Sequence, residues 1–210
     1  MYLHVKRTLD FTLSLAAIVL LAPLWLALAA LIKLDSKGAV IFKQKRLGRN
    51  KTYFDILKFR TMKTDAPKDV PTHMLSDPDS HITRMGRFLR KTSLDELPQL
   101  INILKGDMSI VGPRPALWNQ EDLAALRDRY GANGLTPGLT GLAQVMGRDE
   151  LPIKVKARYD GIYAKKISFL LDFQILVMTA AGVASASGVR EGKTNENADN
   201  RKKRIRQSKP

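Results

Sequence analysis

The chain has 210 residues, 35 Lys plus Arg against 20 Asp plus Glu for a net charge of +15, and no cysteine. With 44% hydrophobic and 26% charged residues it can fill one catalytic-size core, which excludes wholesale disorder, while the missing cysteine excludes disulfides and thiolate metal sites. The positive charge attracts phosphates, whether in nucleic acid, anionic lipid or nucleotides, without choosing among them.

Phe11 to Ile32 reads FTLSLAAIVLLAPLWLALAALI, closed by Asp10 and Lys33. About 22 residues at about 1.5 Å each give about 33 Å of helix, enough to cross a hydrocarbon core of about 30 Å. Two features oppose a straight span. Lys6 and Arg7 precede the run and Lys33, Lys37, Lys43, Lys45 and Arg46 follow it, so both flanks favour the cytoplasm. Pro23, near the middle, removes the bond to the Val19 carbonyl and predicts a kink. A re-entrant dip, a straight Pro-containing span and a signal peptide ending at Ala27-Leu28-Ala29 are the three readings; the length of the run and the basic chain behind it disfavour the last.

Val40–Gln44 and Tyr53–Phe59 are short β-prone runs around a basic turn, and predict a hairpin with Lys58 and Arg60 on one face. Residues 64–80 are rich in Pro, Asp and Ser and read as a loop. Ile82, Met85, Phe88 and Leu89 recur at helical spacing beside Arg84, Arg87, Arg90 and Lys91; Leu97, Leu100, Ile101 and Leu104 form a second stripe. Pro98 fits only the first turn of that second helix, which places Asp95 or Glu96 near its N-cap. Further on, Asn119–Tyr130 predicts a helix with Leu123 and Leu126 inward, and residues 131–148 a glycine-rich loop. Ser168–Ala186 is strongly apolar, a core helix or one lying on the membrane. The tail from Arg190 is basic and poor in hydrophobics, and reads as disordered.

Acidic residues at a helix start are explained by capping and the macrodipole; the same electrostatics keeps a carboxylate ionised and suits a nucleophile or a Mg²⁺ ligand. For the Asp95-Glu96 pair the residues alone leave both readings open. Arg114, between Pro113 and Pro115, sits on a stiff segment that can aim a guanidinium at phosphate or simply form a rigid turn. Lys58 and Arg60 either join such a pocket or decorate a strand face, and Gln144 and Arg148 offer donors in the glycine-rich segment or ordinary loop hydrogen bonds. No Walker A loop, dinucleotide fingerprint or HExxH pair is present, and His4, His73 and His81 are scattered.

KRTLDF, the apolar run with Pro23, VIFKQKRLG, LKFRTM, ITRMGRFLRKTSLDELPQLINILKGDMSIVGPRP and LTPGLTGLAQVMGR, in this order, resemble the bacterial sugar transferase family, the monotopic phosphoglycosyl transferases. The resemblance runs from about Lys6 to about Gly188. It implies an α+β protein: a re-entrant membrane helix-break-helix at 1–34, broken at Ala22-Pro23, a compact helical cytosolic domain with a small β-hairpin and interfacial amphipathic helices at 35–188, and a basic disordered tail at 189–210. It further implies transfer of a sugar 1-phosphate from a nucleotide diphosphate sugar, a UDP-sugar, to polyprenol (undecaprenyl) phosphate, with release of UMP, as a first membrane step of polysaccharide or glycoconjugate synthesis. Asp95 matches the nucleophile that forms an aspartyl phosphosugar, and Glu96 assists through Mg²⁺ or proton transfer, Asp95 and Glu96 being the metal ligands. Lys58, Arg60, Arg114, Gln144 and Arg148 match motifs that contact phosphate or nucleotide. The expected place is the cytoplasmic face of the bacterial inner membrane, with membrane lipid but no nucleic acid as partner; a homodimer is compatible. Ala22 stands where the family commonly has Ser before the proline, Met146 where Asn is common, Thr136 where a basic residue often stands, and Gln174 where Lys is usual. The rival reading is a non-enzymatic anchored module whose basic surface binds anionic lipid or nucleic acid; an ordinary glycosyl transferase would release UDP instead.

Overall fold

The computed structural model describes residues 2–67, 78–147 and 151–184, so Arg148 and the basic tail lie outside the described residues. Helix α1, Tyr2–Asp35, carries the apolar run and is long and apolar enough to cross a membrane by length and composition. The helix runs on through Ala22 and Pro23, so the proline stands inside one helical element. A proline costs a single hydrogen bond, and the turns beyond it are held by packing: Trp25 meets Phe59 edge-on, and Leu28 and Ile32 are buried with Phe59 and Leu89. One stripe of α1 faces the rest of the chain along its whole length, polar at the start (Lys6, Asp10, Ser14) and apolar at the end (Leu28, Ile32). The opposite faces are apolar and bare, with Leu13, Val19, Leu20, Leu26 and Leu34 all exposed, the inverse of a soluble helix.

The predicted hairpin is present as β1 (Ile41–Leu47) and β2 (Tyr53–Phe59), antiparallel with Ile41 opposite Phe59 and Leu47 opposite Tyr53, so β1 extends past Gln44. The turn between them uses the left-handed region at Asn50 and Lys51. Of the segment expected as loop, residues 68–77 lie outside the described residues, and at its end Pro78–His81 makes one helical turn, α2. Next come α3 (Arg84–Thr92) and α4 (Gln99–Lys105), as the two stripes predict. Thr83 caps α3 by accepting from the Gly86 amide, and Ser93 ends it in the left-handed region at φ 57°.

Strand β3 (Ser109–Val111) pairs in parallel with β4 (Gly138–Thr140), which lies in the stretch expected as glycine-rich loop. The glycines are there for close approach: a Cβ on Gly138 would stand 2.1 Å from the Gly112 amide nitrogen. Helix α5 (Glu121–Tyr130) starts slightly later than predicted, and α6 (Leu142–Val145) is one turn. Helix α7 (Ile153–Lys166) was not anticipated, because its buried residues are Ala157, Asp160, Gly161 and Tyr163 rather than an apolar stripe. Helix α8 (Phe169–Ala184) buries Ile175 with Val111 and Tyr163, as a core helix would, and leaves Phe169, Leu170, Phe173 and Val177 exposed.

Candidate active site

The left-handed turn at Ser93 ends α3 and starts a single 3-10 turn, Leu94–Glu96, that presents Asp95 and Glu96. Neither carboxylate caps α4. The N-cap position belongs to Pro98 and carries no side-chain cap bond, so the capping explanation for the acidic pair does not apply. Instead both carboxylates meet cations brought from elsewhere in the chain. Lys58, near the end of β2, places Nζ 2.8 Å from Glu96 Oε1 and 3.9 Å from Asp95 Oδ2. Arg114 donates from Nη2 to the same Glu96 Oε1 at 2.9 Å.

Arg114 is held from behind. Arg127 on α5 donates to the Arg114 carbonyl at 2.9 Å, and its guanidinium is fixed by Asp160 on α7 at 2.7 Å, a pair that is almost wholly buried. Sequence reasoning singled out neither residue; a charged pair joining two helices leaves no periodic trace. Arg90, on α3, adds positive charge near Asp95, and only the arginine series around it hinted at that.

These environments separate the two carboxyls. Burial pushes Asp95 above the ordinary aspartate range; Lys58 opposes the rise, the Glu96 charge adds to it, and Arg90 and Arg114 oppose it. Burial acts upward on Glu96 as well, but Arg114 and Lys58, both bonded to it, hold it well below the ordinary glutamate range. Glu96 is therefore a fixed anion that organises two cations, whereas among the described residues Asp95 makes one ion-pair contact, the long one to Lys58.

Not every expected residue joins this cluster. Arg60 turns away, and its guanidinium donates to the carbonyls of Lys37 and Ser36 at the end of α1. The expectation that alternation sets it beside Lys58 fails because Arg60 lies just past β2, which ends at Phe59, and the segment at the end of α1 takes up its guanidinium. Gln144, on α6, donates to the Leu139 carbonyl at 2.8 Å, and its Oε1 is buried without a partner among the described residues. Arg148 lies outside the described residues.

For Mg²⁺, the oxygens present are Asp95 and the second carboxylate oxygen of Glu96; among the described residues no group of three or more His, Cys, Asp or Glu forms a ready cage. Two carboxylates still fit this ion, which commonly takes one or two from the protein and the rest of its oxygens from water and substrate phosphates.

Residues 1–186 match the family model described as bacterial sugar transferase. Among curated proteins, the chain is 40% identical over 192 residues to an exopolysaccharide production protein of Rhizobium leguminosarum bv. phaseoli, covering 85% of this chain and 94% of that one. It is 40% identical over 185 residues to the UDP-glucose:undecaprenyl-phosphate glucose-1-phosphate transferase of Xanthomonas campestris pv. campestris, covering 85% of this chain and 38% of that protein. With the undecaprenyl-phosphate glucose phosphotransferase of Komagataeibacter xylinus the identity is 39% over 186 residues, 83% of this chain and 35% of the relative. The chain thus spans little more than a third of the two larger relatives and nearly all of the rhizobial one.

Proposed function

Because the chain belongs to the bacterial sugar transferase family, we propose that it moves a sugar 1-phosphate from a UDP-sugar onto undecaprenyl phosphate, with Asp95 as the nucleophile. The observation that carries this reading is the asymmetry of the acidic pair: Glu96 is tied to Lys58 and Arg114, and Asp95 is the buried carboxylate left to react. An Asp95 oxygen attacks the sugar-bearing phosphorus, the bond to the bridging oxygen breaks, and UMP leaves with that electron pair. A phosphate oxygen of the lipid then attacks the same phosphorus, and the Asp95 carboxylate is released with formation of a lipid diphosphate sugar. One site thereby serves a water-soluble donor and a lipid-bound acceptor in turn.

A diphosphate repels an incoming carboxylate, so fixed positive charge must face it first. Lys58 and Arg114 supply that charge, and Glu96 keeps both side chains in place without a reorganisation cost at the moment of attack. Asp95 and Glu96 are also the residues that would hold Mg²⁺, whose charge, when bound, neutralises the diphosphate.

The setting is the cytoplasmic side of a bacterial membrane, with α1 bending at Pro23 so that it enters one leaflet and returns rather than crossing. Its start is bonded to the catalytic body through Lys6 with Asp172, Arg7 with the Ile103 and Leu104 carbonyls, and Asp10 with Ser109. Its end is bonded to the same body through Arg60. A helix of about 50 Å with polar bonds to one folded body at both ends favours the two ends sharing one side. Its bare apolar faces and those of α8 suit lipid chains.

The test is Asp95→Asn in the full-length protein with UDP-sugars and undecaprenyl phosphate. UMP release and covalent trapping of radiolabelled sugar phosphate on the chain should both vanish, while vesicle binding persists. Unchanged UMP release would remove the nucleophile; UDP as the product would replace the reaction class.

A further inference from the structure

Arg60 follows β2 directly and is 7% exposed. It donates from Nη1 to the Lys37 carbonyl at 2.8 Å, and from Nη2 to the Ser36 carbonyl at 2.7 Å, to Ser36 Oγ at 2.9 Å and to the Ile32 carbonyl at 3.4 Å. Ile32 lies in the last turn of α1, its carbonyl also accepting from the Ser36 amide, and Ser36 and Lys37 directly follow the helix; these carbonyls stand at the negative end of the helix dipole, so a buried cation belongs there. The planar guanidinium reaches several of them at once, which a lysine ammonium on the same stem does not reproduce. Gly38 completes the fit: at φ +119° it lies so close that a Cβ would come within 2.2 Å of Arg60 Nη1.

The same end of α1 is gripped by the element that delivers Asp95. Asp35 Oδ2 accepts from the Met85 amide in the first turn of α3, and α3 runs to the Ser93 turn. The two grips are tied together. Thr61, next to Arg60, accepts from Arg90 Nε at 2.8 Å and, through its carbonyl, from the Thr83 amide at 3.0 Å. Gly86 of α3 approaches Thr61 so closely that a Cβ would stand 2.0 Å from its carbonyl oxygen. Beside this corner opens a cleft of about 450 Å³ lined by Leu31, Leu34, Asp35, Arg84 and Met85. The end of the apolar helix is thus joined to the strand bearing Lys58 and to the helix leading to Asp95.

We propose that Arg60 is a positioning residue for the acceptor half of the reaction: by clamping the carbonyls in the last turn of α1 and just past it, it fixes the depth of Asp95 relative to the apolar surface at which the lipid phosphate arrives. This rests on the transfer reaction proposed above. A soluble donor reaches Asp95 from water whatever the depth, whereas a lipid phosphate is confined to the head-group layer, so loosening the clamp penalises only the second step.

The experiment uses the full chain in phosphatidylcholine–phosphatidylglycerol vesicles and separates the halves. Acceptor-free release of one equivalent of UMP reports formation of the aspartyl phosphosugar; its discharge by undecaprenyl phosphate reports the second step. Arg60→Lys should leave the first-step rate within about two-fold and the donor KM unchanged, and slow discharge, or raise the acceptor KM, about ten-fold or more, the scale on which small misplacements cost rate. Gly38→Ala, which disturbs the clamp by crowding the guanidinium while keeping the arginine itself, should give the same split. The amplitude of the acceptor-free release counts folded, competent sites, so loss of folded protein changes amplitude and not the ratio of the two rates. Equal slowing of both halves, a raised donor KM, or wild-type discharge overturns the inference; if Arg60→Lys does not fold, Gly38→Ala and Ser36→Ala decide. A wild-type chain that releases no UMP sinks the proposed function itself, a separate result from a variant that behaves like an active wild type.

Discussion

At the scale of single residues, the division of labour follows from which carboxylate the cations reach. Glu96→Gln leaves Lys58 and Arg114 without their shared anion while sparing Asp95, and should lower kcat for UMP release by about 10²-fold, the order seen when one preorganised electrostatic contact is lost. Asp95 must be ionised to attack. With its pKa raised by burial, kcat/KM should fall on the acid side through a limb above the ordinary aspartate range, and Asp95→Glu should move that limb. Glu96 stays ionised through the same window because its pKa is depressed; the stability its ion pairs confer is present above the ordinary glutamate range and is lost only in stronger acid, as pH falls through the lowered value. Behind the site, Asp160→Ala strands Arg127 in the interior and should cost about 3–5 kcal/mol, read as a lower unfolding midpoint, the expected penalty for a buried ion that loses its partner.

Elements differ in how much of themselves the sequence displays. The hairpin and α3 are visible because alternation and a 3.6-residue stripe are local properties, whereas the Thr83 cap of α3 came from the structure. Thr83→Ala should lower stability by about 1 kcal/mol in denaturant titration. The β3–β4 pair is invisible in the same reading: three residues per strand carry no period, and the glycines that permit it look like loop glycines until Gly112 and Gly138 are seen in contact. Helix α7 escapes notice for a related reason, since its most buried side chains include Asp160, whose burial depends on an arginine in another helix. The acidic pair reads as a helix cap because Pro98 starts a helix just beyond it, and only the 3-10 turn before that proline shows the carboxylates facing Lys58 and Arg114.

At the scale of the whole molecule, the apolar helix is a part of the catalytic body and not a tether attached to it. Its buried face is bonded at the start to α4, β3 and α8 and at the end to the segment after β2. The chain has no cysteine, so single cysteines report topology directly. His4→Cys and Lys37→Cys should both resist a membrane-impermeant thiol reagent added outside intact cells and both react after lysis; outside labelling at position 4 alone would establish a straight span. What the linear order of residues determined by itself is the apolar run, the hairpin, the two helical stripes and the position of the Asp95-Glu96 pair just before the second of them, because each depends on neighbours within a few turns. Tertiary structure alone decided that Lys58 meets the carboxylates while Arg60 clamps the end of α1, and that Arg114 shares Glu96 with Lys58. Which cation reaches which anion depends on how segments distant along the chain close on one another, and no local periodicity encodes that.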